Sequence, residues 1–228
     1  SGCELPETYE YLDRIRAVLN INIKVVKSEK DWDHWAAAKA KKTPYGTFTY
    51  LPSPLNRWCT EVLKIRPYEK WVDETCRDSL VYSYVGLRAD EARDRKGLIS
   101  RNKNLQSKFP FIEAGINYNE VIDILRQSGL GLPKYSSWRK RSGCYFCFYQ
   151  TKQEWLGLLG KHPELYKKAM SYESKVPEEG INFTWCPDIS LFDLKNNGGR
   201  NEDNQHEKPI ITSSAPCSLR DVCMGTAK

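Results

Sequence analysis

The stretch Leu80-Val-Tyr-Ser-Tyr-Val85, running straight into Gly86-Leu-Arg-Ala-Asp-Glu91, decides the fold. Its first half is apolar or aromatic almost throughout, which predicts an interior strand of a parallel sheet, because a sheet covered on both faces hides both sets of alternating side chains. In open α/β sheets ligands sit beyond the carboxyl ends of the strands. Gly86, Arg88, Glu91 and Arg95, issuing from this strand, therefore form a candidate site. The arginines offer forked donors to phosphate oxygens, and Glu91 can fix an arginine or hold a metal. The bland alternative for the same residues is a solvated salt-bridge loop.

Working outward, helical and strand patterns alternate as an α/β fold requires. Pro6 starts a helix carrying Leu12, Ile15 and Leu19 that Asn20 stops, and Ile21-Asn-Ile-Lys-Val-Val26 predicts a strand. Asp31 caps a helix running through Trp32, Trp35 and Ala36 to Lys42, followed by a loop punctuated by Pro44, Pro52 and Pro54. The next helix carries Trp58, Val62 and Ile65. Asn117 and Glu120 predict a capping box for a helix ending at Gly129. Two more helices follow, one through Trp155 and Leu159, the other from Pro163 to Tyr172, and the Asn- and Gly-rich Lys195 to Lys208 predicts a surface loop. The expected division is a nucleotide-binding α/β domain over 1–130 and a cysteine-rich, mostly helical and irregular part over 131–228.

The chain has 228 residues, 40% hydrophobic and 12% aromatic. At this length about 70% of the unfolded surface can be buried, so disordered, collagen and fibrous classes are excluded. No stretch approaches the roughly 20 apolar residues of a membrane span, and Ser1-Gly-Cys-Glu4 does not resemble a signal peptide, so the expectation is a cytoplasmic protein with no membrane partner. The 35 basic and 29 acidic residues leave a charge of +6. The excess concentrates between Lys134 and Lys152, where basic and aromatic side chains interleave without an acid. That pattern makes Lys134, Trp138, Arg139, Lys140 and Arg141 candidates for gripping and stacking DNA or tRNA. His34, His162 and His206 have no metal-ligand spacing and are assigned structural roles.

Eight cysteines stand at 3, 59, 76, 144, 147, 186, 217 and 223. Their spacing is irregular and the chain is too long for a disulfide-stapled scaffold, so metal or redox chemistry is the better account. Cys144 and Cys147 form a two-ligand bite, and Cys217 and Cys223 flank a short loop that can complete a zinc set. Cys3 and Cys76 read as ordinary thiols, and Cys186 as an outside candidate for a fourth ligand.

Four motifs in register carry a resemblance: Gly2-Cys-Glu-Leu-Pro-Glu-Thr8, Arg57-Trp-Cys-Thr60 with Lys64 and Pro67, Gly86-Leu-Arg-Ala-Asp-Glu91 with Arg95, and Gly143-Cys-Tyr-Phe-Cys147. From Gly2 to about Phe148 the chain resembles the phosphoadenosine phosphosulfate reductase-like branch of the PP-loop adenine-nucleotide alpha-hydrolase superfamily, closest in type to the DNA phosphorothioation ATPases. The resemblance implies a Rossmann-like parallel sheet binding ATP or a related adenine nucleotide, with Glu7 and Thr8 joining Gly86, Arg88, Glu91 and Arg95 as contacts. It also implies a [4Fe-4S] cluster on Cys59, Cys144 and Cys147 with a fourth ligand from Cys217 or Cys223, zinc being the alternative. The activity implied is ATP pyrophosphatase chemistry supporting sulfur transfer or thiolation, with nucleic acid as the acceptor and a sulfur-donating protein as partner. No catalytic residue is assigned.

Three departures qualify it. The family's phosphate loop, Ser-Gly-Gly-x-Asp-Ser, would lie before Ser1, so the α/β domain is expected to be incomplete on its N-terminal side. Trp58 replaces a cysteine that neighbours Cys59 in iron-sulfur sulfonucleotide reductases. The chain ends Asp221-Val-Cys-Met-Gly-Thr-Ala-Lys228 rather than in a Glu-Cys-Gly-type motif. Sulfonucleotide reduction is accordingly the second reading, and a non-enzymatic nucleotide- or partner-binding subunit the third.

Overall fold

A computed structural model describes residues 1–44, 46–91, 104–176 and 181–197. In chain order the elements are α1 (Pro6–Leu19), α2 (Trp32–Ala38), an antiparallel pair β1 (Lys41–Thr43) and β2 (Gly46–Phe48), and the short turn α3 (Trp58–Thr60). A π-helical segment, Glu61–Ile65, carries α3 on into α4 (Arg66–Thr75). Then come β3 (Val81–Tyr84), a 3-10 turn at Ala89–Glu91, β4 (Leu105–Lys108), α5 (Pro110–Glu113) and α6 (Tyr118–Gln127). After a 3-10 turn at Lys134–Ser137 follow α7 (Lys152–Lys161), α8 (Pro163–Met170), the antiparallel pair β5 (Ser174–Val176) and β6 (Ile181–Phe183), and α9 (Leu191–Asn197). No helix among the described residues is long and apolar enough to cross a membrane.

Two compact units arise: Ser1–Trp71 with the described residues from Leu125 on, and Val72–Ile124. They differ from a sequential split at residue 130, because the N-terminal segments share a core with the C-terminal helices. In that core Trp32 stacks on Trp58 at 5.0 Å and packs against Phe146 at 4.0 Å. Phe146 stacks on Trp185, which also meets Trp155. The rings are nearly fully buried, and the indole N–H groups of Trp58 and Trp185 donate to the carbonyls of Tyr50 and Ala169. Such rings bring large apolar area and a preference for offset or tilted contact, while a buried indole still needs an acceptor.

Local chemistry explains the element ends. Pro6 occupies the first helical turn of α1 and Asn20 closes it in the left-handed region at φ +48°. Asp31 accepts from the His34 amide to cap α2. Thr151 and Glu154 form a reciprocal capping box on α7, and Glu154 also accepts from the Lys140 amide, tying the segment before the CxxC turn to this helix.

In the second unit β3 and β4 are parallel, in register from Val81 opposite Leu105 to Tyr84 opposite Lys108. The Asn117–Glu120 capping box forms as expected, with the Asn117 amide 2.7 Å from Glu120 Oε2. The molecule is thus a mixed α/β protein with a short parallel pair.

Three expectations are corrected. Ile21 to Val26 forms no strand: no described segment offers it a ladder of backbone groups, and Ile21 and Val25 lie exposed. β-Branched composition cannot make a strand without a partner. β3 exists but is not buried on both faces. Among the described residues it pairs only with β4, and Tyr82 and Tyr84 are exposed, so Val81 and Ser83 supply the inner face. Finally, α2 stops at Ala38 because Lys41–Thr43 turns to pair with Gly46–Phe48. Of the segment Lys195 to Lys208, residues 195–197 end α9 and the remainder lies outside the described residues.

Two glycines of α7 make opposite predictions. A Cβ on Gly157 would stand 2.6 Å from Trp138 Cε3, whereas one on Gly160 meets nothing within 4 Å. Gly160→Ala should raise stability by about 0.5–1 kcal/mol through helix propensity. Gly157→Ala should lower it, since overpacking of about 1–3 kcal/mol outweighs the same gain. Denaturant unfolding of the two variants beside the parent checks both signs.

Candidate functional site

The aromatic core sets the positions of the cysteines. Cys59 follows Trp58 at the mouth of the π-helical segment, a distortion often found at functional sites. Cys144 and Cys147 flank the buried Tyr145-Phe146 pair. The turn between them is held by its carbonyls: Cys147 N donates to Cys144 O at 3.1 Å, and Gln150 Nε2 donates to Tyr145 O at 2.8 Å and Cys147 O at 3.3 Å. Burial pushes the Cys59 thiol up to about 11, and the nearby Cys144 and Cys147 add to the shift. Burial also raises the Cys144 thiol, against the opposing charge of Lys64 and a contact from Ser1 Oγ to Cys144 Sγ at 2.9 Å.

Cys3, which the sequence marked as ordinary, belongs to the same neighbourhood. Glu4 and Cys144 form an isolated antiparallel bridge, and Tyr145 N donates to Cys3 O at 2.8 Å. Burial lifts the Cys3 thiol to about 12, with Cys144 the next cause. Cys186 lies apart from this set in the aromatic core, where Glu173 and Asp188 are its charged neighbours. Cys217 and Cys223 lie outside the described residues.

Arg139 is the charged member of the site. It is 3% exposed, and its Nη2 donates to Cys144 O at 2.8 Å while Nε and Nη1 find no partner. Burial depresses its pKa, opposed first by Cys147 and then by Glu154 and Cys144. The nucleic-acid expectation for Arg139 is therefore corrected, because a guanidinium inside the fold cannot grip a phosphate backbone. Trp138 likewise packs on α7 beside Gly157 rather than standing free for a base. Lys134 is exposed and paired with Glu10 at 2.6 Å, and Lys140 and Arg141 are exposed.

A buried cation with two unpartnered nitrogens beside thiols fits an anionic thiolate centre, with Glu154 the carboxylate among its charged neighbours. Among the described residues no three of His, Cys, Asp or Glu are arranged to hold a metal ion.

In the second unit the loop after β3 is built around Arg88. Its Nε donates to Asp90 Oδ1 at 2.8 Å, its backbone N to Glu91 Oε2 at 3.1 Å, and its guanidinium lies 5.2 Å from the Tyr118 ring centre. Asp90 also accepts from the Tyr118 amide, at 3.3 Å, fixing the loop to the start of α6. Gly86 opens the turn, and Arg95 lies outside the described residues. Arg88 is thus held by carboxylates and pre-set in direction.

Glu7 and Thr8 sit in the first turn of α1. Glu7 Oε1 pairs with His162 Nε2 at 2.8 Å, a contact across 155 residues that no sequence pattern announced. Glu7 Oε2 and Thr8 Oγ1 are buried without partners, which fits a polar ligand at this helix start.

Comparison with known proteins places the chain in a family. The phosphoadenosine phosphosulfate reductase domain matches residues 1–127. Two uncharacterized proteins of Methanocaldococcus jannaschii are each 25% identical, over 173 and 177 residues, in both cases covering 74% of this chain. The chain spans 33% and 38% of their lengths, about a third. No solved structure matches.

The unpartnered guanidinium yields a stability prediction. In chelator-treated protein, Arg139→Met should leave stability unchanged or raise it by about 1–4 kcal/mol, since an apolar chain of similar length removes a buried charge with two unpartnered nitrogens. Cys144 O keeps its other donor, Cys147 N. A lower melting temperature in metal-free protein would show that Arg139 already has its counter-charge.

Proposed function

The chain belongs to the phosphoadenosine phosphosulfate reductase domain family, and from that premise we propose that it is the nucleotide-handling and thiol-bearing part of a PP-loop protein that supports sulfur transfer. The observation that carries this reading is the match over residues 1–127 joined to a second feature, thiols gathered around a buried, under-partnered guanidinium. On this reading the α/β part is Rossmann-like and takes ATP or a related adenine nucleotide. Arg88, held in direction by Asp90 and Glu91, meets phosphate oxygens, and the free polar atoms of Glu7 and Thr8 serve the same class of ligand.

Cys59, Cys144 and Cys147 would hold a [4Fe-4S] cluster, with zinc as the alternative. A tetrahedral zinc with Zn–S near 2.3 Å draws its sulfurs to about 3.8 Å from one another. A cubane holds them farther apart. The thiols beside an under-partnered buried guanidinium support a thiolate-bound centre, and the family resemblance favours the cluster over zinc. When bound, such a group supplies an electron-rich, redox-active sulfur environment. This chain's own residues position it: Gln150 fixes the CxxC turn, while Arg139 and Lys64 offset thiolate charge.

Nucleic acid is the proposed sulfur acceptor, with a separate protein as sulfur donor and the cytoplasm as the setting. The support for the acceptor is the exposed Lys140 and Arg141 beside the thiol-bearing turn. Sulfonucleotide reduction is the competing reading. Parallel calorimetric titration with ATP and with phosphoadenylyl sulfate tests the choice: tighter binding of ATP supports thiolation, and tighter binding of the sulfonucleotide supports reduction.

Two variants probe the contacts. Arg88→Ala should weaken ATP binding by one to two decades, about 1.5–3 kcal/mol for a charge-assisted phosphate contact, as read by the same titration. Lys140→Ala/Arg141→Ala should weaken oligonucleotide binding at low salt and flatten its dependence on salt, because fewer counterions are released. Fluorescence anisotropy across a salt series measures both effects, and binding unchanged from the parent makes these side chains a solvated face.

A further inference from the structure

Resting on the reading of a thiolate-bound cluster, we infer that Cys3 is its fourth cysteine ligand and that Arg139 is the buried counter-cation of the completed set Cys3, Cys59, Cys144 and Cys147. The argument starts from the backbone. The segment before α1 is bound to the CxxC turn by the Glu4–Cys144 bridge and by Tyr145 N donating to Cys3 O at 2.8 Å, so Cys3 is one residue from direct register with Cys144. Gly2 adopts φ +78°, a left-handed turn that side-chain-bearing residues rarely take, and beyond it Ser1 Oγ reaches Cys144 Sγ at 2.9 Å. The chain thus wraps the Cys144 sulfur. Leu5, 1% exposed, anchors the segment in the aromatic core.

Charge supplies the second, independent observation. A cubane core of two positive charges with four thiolates carries a net double negative charge. Arg139 is buried with Nε and Nη1 unpartnered, and its charged neighbours include Cys147 and Cys144. The N–H groups on these two nitrogens suit donation to cluster or thiolate sulfur, the kind of contact that tunes such centres. Lys64 adds a second positive charge near Cys144 and Cys59. Ligation replaces each thiol proton by a sulfur–iron bond and releases the proton to solvent, so the cysteines themselves are neither oxidised nor reduced.

Anaerobic reconstitution of the full 228-residue chain with equal parts of ferrous and ferric iron and with sulfide tests the assignment, read by iron content, visible charge-transfer absorbance and EPR of the reduced protein. The parent should take up about four irons, and the Cys217→Ser/Cys223→Ser double variant should match it. Cys3→Ala should lose most of the absorbance while keeping its circular dichroism, and Cys3→Ser should lose iron or give an altered EPR signal. If Cys3→Ala does not fold, the iron count and EPR of the near-isosteric Cys3→Ser decide. A folded Cys3 variant with the parent's iron and spectrum, or loss of the cluster in the tail double variant alone, overturns the assignment of Cys3 and leaves the cluster reading standing. A folded parent that takes up no cluster overturns both.

Discussion

The stack of Trp32, Trp58, Phe146 and Trp185 is the contact on which the rest of the first unit depends. Each ring after the first sits beside or between cysteines: Cys59 follows Trp58, Cys144 and Cys147 bracket Phe146, and Cys186 follows Trp185. Burial of aromatic area is non-directional in sequence, so it draws together segments as far apart as Trp32 and Trp185, about two-thirds of the chain. The thiols arrive as passengers of that collapse. Their gathering needs no attraction between sulfurs, and the raised thiol pKa values record the burial it imposes.

Arg139 shows the cost of that arrangement. Placing a guanidinium among buried thiols leaves part of its hydrogen-bonding capacity unmet, with one carbonyl as its hydrogen-bond partner and Glu154 as the carboxylate among its charged neighbours. A structure seldom retains such a group without a counter-charge, which is why the residue is more informative inside the fold than it would be on the surface. The same logic separates it from Lys140 and Arg141, its immediate neighbours in sequence, which remain in solvent and keep their full hydration.

The loop after β3 unites two readings that looked like alternatives. Asp90 and Glu91 pair with Arg88, as a salt-bridge loop would, and those pairs also pre-set the guanidinium over Tyr118. Pre-organised donors lose less freedom when an anion arrives, so an internal ion pair and a phosphate contact are compatible states of one side chain.

Sequence by itself determined the local features, because each rests on chemistry within a few residues: Pro6 and Asn20 bounding α1, Asp31 capping α2, the Asn117–Glu120 box, the strand at Val81–Tyr84, the CxxC bite and the family resemblance. The candidate loop at Gly86–Glu91 was legible for the same reason. The predicted strand at Ile21–Val26 was not, since a strand needs a partner that composition cannot supply. Tertiary structure alone decided that Cys3 lies by Cys144, that Arg139 is buried while Lys140 and Arg141 are not, and that His162 meets Glu7. Those contacts join residues 5 to 155 positions apart, and what sets them is the packing of the aromatic core, a property of the folded chain that no short window of sequence contains.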